Sequence, residues 1–187
     1  MILFHTGFDE IRIPDLLHGR KNADFGQGFY LSDSGEFAGK WAKERKDRDV
    51  VINTYELDLT GLSVLEFTRD AAWFDYIFTN RTAAKDLHPE ADVITGPIAN
   101  DTLYDTLGIF TSGFLTRKQA LRLLMIGPVY RQTVIKTQKA ASQLQWLSAR
   151  TADKAEIERF RTVIRSEEAS LSDMPGGRNG PPAVRYI

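Results

Sequence analysis

Asp24-Phe25-Gly26-Gln27-Gly28-Phe29-Tyr30-Leu31-Ser32 places two glycines around a single residue and follows them with an aromatic pair before the chain turns polar. Glycine lacks a Cβ and tolerates positive φ, so Gly26 and Gly28 allow the main chain to fold tightly and to offer its N–H groups to a ligand. The same spacing suits a hairpin or a β-bulge, so the stretch taken alone has two readings. Its neighbours in the chain bear on which one holds.

The N-terminus is the first of these. Met1-Ile2-Leu3-Phe4 is a short apolar run that breaks abruptly into His5-Thr6-Gly7. At an exposed strand end, an imidazole and a hydroxyl can bond sugar hydroxyls, and Gly7 lets backbone amides face a small molecule. The alternative is a structural histidine followed by an ordinary turn.

A chain of 187 residues reads as one domain, long enough to bury well over half of its unfolded surface. It has no cysteine, which excludes thiol catalysis, thiolate zinc sites and disulfides and agrees with a reducing compartment. With three histidines, His5, His18 and His88, no histidine-rich metal centre is expected. The 24 basic and 25 acidic side chains leave a net charge of −1, too even for a global nucleic-acid or membrane surface. No charged leader precedes an apolar core and no apolar run approaches about 18 residues, so a cytoplasmic protein without membrane contact is expected.

Hydrophobic periodicity supplies a coarse map. Helices are expected at Ser34 to Lys46, Asp70 to Asn80, after Ile98-Ala99-Asn100-Asp101 through Leu107, Thr116 to Met125, Thr137 to Trp146 with Leu144 and Leu147 inward, and Ala152 to Glu168. On the second of these, Ala72, Trp73, Tyr76 and Ile77 share a face. Strands are expected at Val50 to Leu59, Leu62 to Phe67, Ala91 to Pro97 and Val129 to Lys136. Strands and helices alternate without a regular βαβ rhythm, which points to an α+β fold. Residues 1–172 would form the domain, and residues 173–187 a Gly- and Pro-rich tail.

Placed in order, Leu3-Phe4-His5-Thr6-Gly7, then Asp24 to Ser32 with Phe37-Ala38-Gly39-Lys40-Trp41-Ala42 behind it, resemble the NAD-binding core of ADP-ribosyltransferases. The resemblance is to the His-Tyr-Glu class of the poly(ADP-ribose) polymerases and the diphtheria toxin group. Asn80-Arg81, Asp92-Val93-Ile94-Thr95-Gly96-Pro97-Ile98-Ala99-Asn100-Asp101 and Arg131-Gln132-Thr133 extend it to uncharacterised bacterial proteins assigned to that superfamily. It spans about residues 1 to 147 and implies a split antiparallel β-sheet core with surrounding helices.

The resemblance implies roles. His5 would bond the adenosine-side ribose of NAD, the backbone at Thr6 and Gly7 the nicotinamide carboxamide, and Tyr30 would stack on the nicotinamide ring. Asp24, Gly26 and Gly28 would belong to the pocket. Arg81 would bind the pyrophosphate or simply end a helix favourably. The first motif is His-Thr-Gly where the polymerases have His-Gly followed by Ser or Thr, and Gln132 stands where the class has its catalytic glutamate.

The substitution at the third position bears on mechanism. Cleaving the N-glycosidic bond of NAD builds positive charge on the ribose, and a carboxylate at its 2′-hydroxyl stabilises that charge. An amide supplies a dipole instead, and losing one such group costs about 10²–10³ in rate. Transfer of single ADP-ribose units is therefore expected, with Asp24 or Asp101 as candidate assisting acids. Gln132 also reads as a plain strand-edge residue, and Asn100-Asp101 as a helix cap.

The first expectation is a mono-ADP-ribosyltransferase that consumes NAD and modifies an unidentified acceptor, as a toxin or phage-conflict effector with an inhibitor or antitoxin protein as a further partner. The second is a non-catalytic sensor that keeps the NAD or ADP-ribose pocket. An RNA 2′-phosphotransferase-like enzyme ranks third, because Arg12, Arg20 and Lys21 do not form a dense basic cluster.

Overall fold

β3 (Val51–Leu57) is the strand around which half the molecule is organised. Its Val-Ile-Asn-Thr-Tyr-Glu-Leu run is rich in β-branched and aromatic residues, and both of its edges are taken. β1 (Ile2–Gly7) lies antiparallel on one side and β7 (Leu144–Thr151) on the other, giving a three-stranded sheet of order β1-β3-β7. A second, four-stranded sheet has the order β2-β6-β5-β4, formed by β2 (Phe29–Leu31), β6 (Arg131–Ile135), β5 (Val93–Pro97) and β4 (Val64–Glu66). Its pairings are antiparallel except β4 with β5, which is parallel. The computed structural model describes residues 1–40, 48–83, 85–99, 113–114, 116–124, 129–159 and 162–163. Over these residues the fold is α+β.

The helices are α1 (Gly35–Lys40), α2 (Ala71–Ala83), α3 (Arg117–Leu124) and α4 (Gln138–Ser142). Their starts follow capping chemistry. Ser34 Oγ accepts from the Phe37 N–H at 3.1 Å, and Asp70 Oδ1 from the Trp73 N–H at 2.9 Å. At α3, Thr116 and Gln119 form a reciprocal capping box: the Gln119 N–H donates to Thr116 Oγ1 at 3.3 Å and the Thr116 N–H to Gln119 Oε1 at 2.9 Å.

Strand parity separates two cores. Val93, Ile135, Phe29 and Leu31 face the three-stranded sheet and pack with Leu3, Tyr55, Leu57 and Leu144. Ile94 and Val134 point the other way, into a cluster of Phe25, Phe67, Trp73, Phe74, Tyr76 and Ile77 beneath α2. Tyr30 pairs with Val134 and packs on that second side, and period-2 alternation puts Gln132 on the same face as Val134. Two expected site residues thus share one face of the sheet.

Among the described residues the two sheets are bridged between Phe4 and Ser32. The Phe4 N–H donates to the Ser32 carbonyl and the Ser32 N–H to the Phe4 carbonyl, each at 2.8 Å. β1 and β2 then diverge, and the opening between them is where the site lies.

Two expectations change. Residues 137–146 are not one helix: α4 ends at Ser142, with Gln143 as its C-cap, and the chain turns into β7. A free edge of β3 offers a backbone ladder that outweighs the local helical pattern. Tyr55 pairs with Trp146 and Thr54 with Ser148, so Leu147 is the extra residue of a β-bulge and stands 41 % exposed instead of inward. On α2 the buried face is Trp73, Phe74, Tyr76 and Ile77, while Ala72 is exposed. Of the expected helix 152–168, residues 154–159 and 162–163 are helical, Ala152 and Asp153 precede the helix, and the remainder lies outside the described residues, as do the helix through Leu107 and the tail.

Candidate functional site

The diverging strands leave an open cleft lined by Phe4, His5, Thr6, Tyr30, Leu31, Ser32, Phe37, Ala38, Ile98 and Gln132. The three expected catalytic positions, His5, Tyr30 and Gln132, are thus brought together.

His5 sits on β1 just past the bridge. Its Nδ1 lies 2.8 Å from the Tyr30 carbonyl, which can only accept, so Nδ1 carries the proton and Nε2 is left as an acceptor. The ring stacks on Phe29 at 4.5 Å between centroids, and Phe29 meets Tyr55 edge-on at 5.6 Å. Burial holds the imidazole pKa below its ordinary value, against the opposing pull of the Tyr30 carbonyl. His5 is therefore neutral at pH 7. Beside it, the Thr6 hydroxyl donates to the Ala38 carbonyl, tying β1 to α1. A Cβ on Gly7 would lie 3.5 Å from His5 Nε2, so Gly7 keeps that nitrogen's surroundings open.

Tyr30 lines the cleft, and its hydroxyl is spent on the 24–26 turn. The hydroxyl accepts from the Phe25 N–H at 3.0 Å and donates to the Gly26 carbonyl at 2.7 Å. Burial first and the Asp24 carboxylate second push its pKa well above the ordinary tyrosine value, so it remains a phenol. Tyr30 thereby pins the 24–26 turn. Phe37 of α1, stacked on Tyr130 at 4.2 Å, supplies a second ring to the same cleft.

Gln132 is 4 % exposed and donates from Nε2 to Asp24 Oδ2 at 3.2 Å. Asp24 is buried behind it. Its Oδ2 also accepts from the Ala99 N–H at 3.1 Å, and its Oδ1 accepts from Arg81 Nε at 2.9 Å and from Arg81 Nη2. Lys136 completes the support, with Nζ donating to the Phe25 carbonyl at 2.6 Å and lying 3.0 Å from Asp86, whose Oδ1 accepts from Tyr76 at 2.8 Å.

Several expected ligand residues therefore serve the scaffold. Arg81 is committed to Asp24, both side chains being at most 10 % exposed, and neither lines the cleft. Gly26 adopts φ +73°, and a Cβ there would meet Lys136 Nζ at 3.0 Å. Its N–H closes a turn onto the Ala23 carbonyl at 3.0 Å rather than facing a ligand. At Gly28 a Cβ would come within 2.6 Å of both the Ile135 carbonyl oxygen and Val134 Cγ1, and one on Gly19 would come within 2.6 Å of the Gly28 carbonyl oxygen. These glycines laminate a surface loop, the 24–28 turn and β6; they allow close packing of backbone on backbone. Asp101 lies outside the described residues.

Other supporting residues are Asn53, Lys136 and Phe29. Asn53, fully buried opposite His5 on β3, accepts from the Ile11 N–H at 2.9 Å and from Trp146 Nε1 at 3.2 Å and donates to the Asp9 carbonyl at 2.9 Å. With Tyr55, whose hydroxyl donates to the Ile11 carbonyl at 2.6 Å, it fixes the start of the loop after β1. A polar amide inside an apolar strand, as in Val-Ile-Asn-Thr-Tyr, was the signal for it.

Residues 1–146 match the sequence profile of a family described as protein of unknown function (DUF3990). The chain belongs to the DUF3990 family. No curated protein matches it. The profile covers His5, Tyr30 and Gln132 together with Asp24, Arg81 and Lys136, so cleft and support both fall within the DUF3990 segment. Among the described residues no helix is long and apolar enough to cross a membrane.

Proposed function

We propose that this cleft binds the nicotinamide ribose of NAD⁺ and that the protein is a mono-ADP-ribosyltransferase. The observation that carries this reading is the polarity of the cleft. His5 Nε2 is an acceptor, and the amide of Gln132 turns its NH₂ to Asp24 and keeps its carbonyl as an acceptor. Tyr30 and Phe37 add aromatic rings, whose faces are electron-rich, and no lysine or arginine is among the described lining residues. Acceptors and π-faces suit a flat cation carrying hydroxyl donors, which describes a ribosyl pyridinium. Among the described lining residues a phosphate would find no charge partner, which weighs against the RNA phosphotransferase alternative.

The two sheets, parted at the Phe4–Ser32 bridge with the histidine on one lip and the tyrosine on the other, support a split-sheet ADP-ribosyltransferase core. In the reaction, the bond between the nicotinamide nitrogen and ribose C1′ breaks, its electron pair leaves with nicotinamide, and an acceptor nucleophile attacks C1′. The Gln132 carbonyl would receive a hydroxyl of the ribose while positive charge develops, as a dipole in place of a full charge. Such an enzyme turns over slowly. That same neutrality supports a second reading, a sensor that binds NAD⁺ and does not cleave it.

Calorimetric titration tests binding: NAD⁺ should bind, and NADH, whose ring is uncharged, at least about tenfold more weakly. Equal affinity for both, or none for NAD⁺, rejects the assignment. Nicotinamide release separates enzyme from sensor, and mass spectrometry of a bacterial lysate incubated with NAD⁺ and protein identifies the acceptor.

A further inference from the structure

We propose that Asp24 is a positioning residue for Gln132, and that its carboxylate is what requires an amide, and not a second carboxylate, at position 132. The inference rests on the NAD⁺ reading for its functional meaning and on geometry alone for its structural content.

Asp24 accepts from Arg81 Nε and Nη2 at Oδ1 and from the Ala99 N–H and Gln132 Nε2 at Oδ2. A carboxylate has about four lone-pair sites, so its acceptor capacity is filled. Because it can only accept, the branch of the Gln132 amide that meets it is the NH₂ group. Oε1, on the other branch, accepts no hydrogen bond among the described residues and is left to the cleft that Gln132 lines. Asp24 thereby decides which end of the amide a ligand meets.

The charges nearby are already balanced. Arg81 of α2 faces Asp24, and Lys136, following β6, faces Asp86. The Tyr30 hydroxyl of β2 is spent on Phe25 and Gly26, and His5 of β1 directs Nδ1 to the Tyr30 carbonyl. A glutamate at 132 would set a third carboxylate about 3.2 Å from Asp24 Oδ2, where the Gln132 Nε2 now sits. Two carboxylates at that separation cannot both ionise, so they share a proton.

The experiment is a carboxyl ¹³C titration by NMR of Gln132→Glu and of Asp24→Asn/Gln132→Glu, each checked for folding by its melt. In the single variant the introduced carboxyl should hold its proton with an apparent pKa at or above about 7, and in the double variant it should fall back toward about 4.3. An introduced carboxyl that titrates near the ordinary glutamate value beside an intact Asp24 overturns the proposal. If Gln132→Glu does not fold, the side-chain NH₂ of Gln132 in the unaltered protein gives the answer. Its hydrogen exchange should be slowed at least about tenfold relative to an exposed glutamine by burial and the bond to Asp24, and exchange at the exposed rate overturns the proposal.

Nicotinamide release from NAD⁺ across pH is the functional arm. Gln132→Glu should show an alkaline rise, as the shared proton leaves, that the unaltered protein lacks. A high-titrating carboxyl at position 132 in a protein that never binds NAD⁺ removes the NAD⁺ reading and leaves the pair standing. Normal titration in a protein that turns over NAD⁺ does the reverse.

Discussion

The two walls of the cleft are built by opposite means. On one, His5 is held by a neutral hydrogen bond to the Tyr30 carbonyl and by the face of Phe29. On the other, Gln132 is held by a carboxylate saturated with donors from a buried guanidinium and a backbone N–H. Neutral bonds of the first kind are worth about 0.5–1.5 kcal/mol each, whereas stripping one partner from a buried ion pair costs about 3–5 kcal/mol. The imidazole wall is therefore adjustable and the amide wall is rigid. Fixed geometry sits where the chemistry is least conventional, at a glutamine that must present one particular end.

Removing the guanidinium should have the largest effect on that contrast. Arg81→Ala leaves the Asp24 carboxylate buried without its cation and should lower the unfolding free energy by about 3–5 kcal/mol, measured by urea denaturation. A loss below about 1 kcal/mol would mean the rigid wall does not depend on the pair. Tyr30→Phe comes next. It keeps the ring at the cleft and deletes the hydroxyl that ties Phe25 to Gly26, so stability should drop by about 1–3 kcal/mol with NAD⁺ affinity changed less. The opposite ranking would place the hydroxyl in contact with the ligand.

The smallest effect tests the adjustable wall. Burial depresses the His5 pKa below its unfolded value of 6.5, so the neutral ring's contribution to stability is complete above pH 6.5 and is lost as pH falls through the lowered folded value. Protonation also converts Nε2 from acceptor to donor. NAD⁺ affinity should therefore weaken, by up to about tenfold, between pH ~7.5 and ~5, and His5→Gln should flatten that dependence. Affinity that rises on acidification would show that His5 donates to the ligand.

His5 and Tyr30 could be read from the chain because each ends or interrupts an apolar run with a group whose chemistry is specific. Gln132 was reached through resemblance, and the structure adds what no motif carries, that Asp24 stands behind it. Arg81, Gly26 and Gly28 show the limit: residue type reveals what a group can do, while whether it meets a ligand or another backbone depends on elements far away in the chain. Gly28 reads as a ligand-facing glycine until β6 is packed against it. β7 escaped notice because the bulge at Leu147 breaks the period-2 alternation that marks a strand. Lys136, which closes the Val-Ile run of β6, is a cation whose partners, Asp86 and the Phe25 carbonyl, lie about 50 and 111 residues away in sequence, and sequence spacing cannot announce them.

The stacked glycines leave the molecule with no slack at one point. Where Gly19 rides on Gly28 and Gly28 rides on β6, three main chains touch with nothing compressible between them. A shift of the loop around Gly19 is therefore passed to β6 through main-chain contacts instead of being absorbed by side chains, as through a shim between rigid plates.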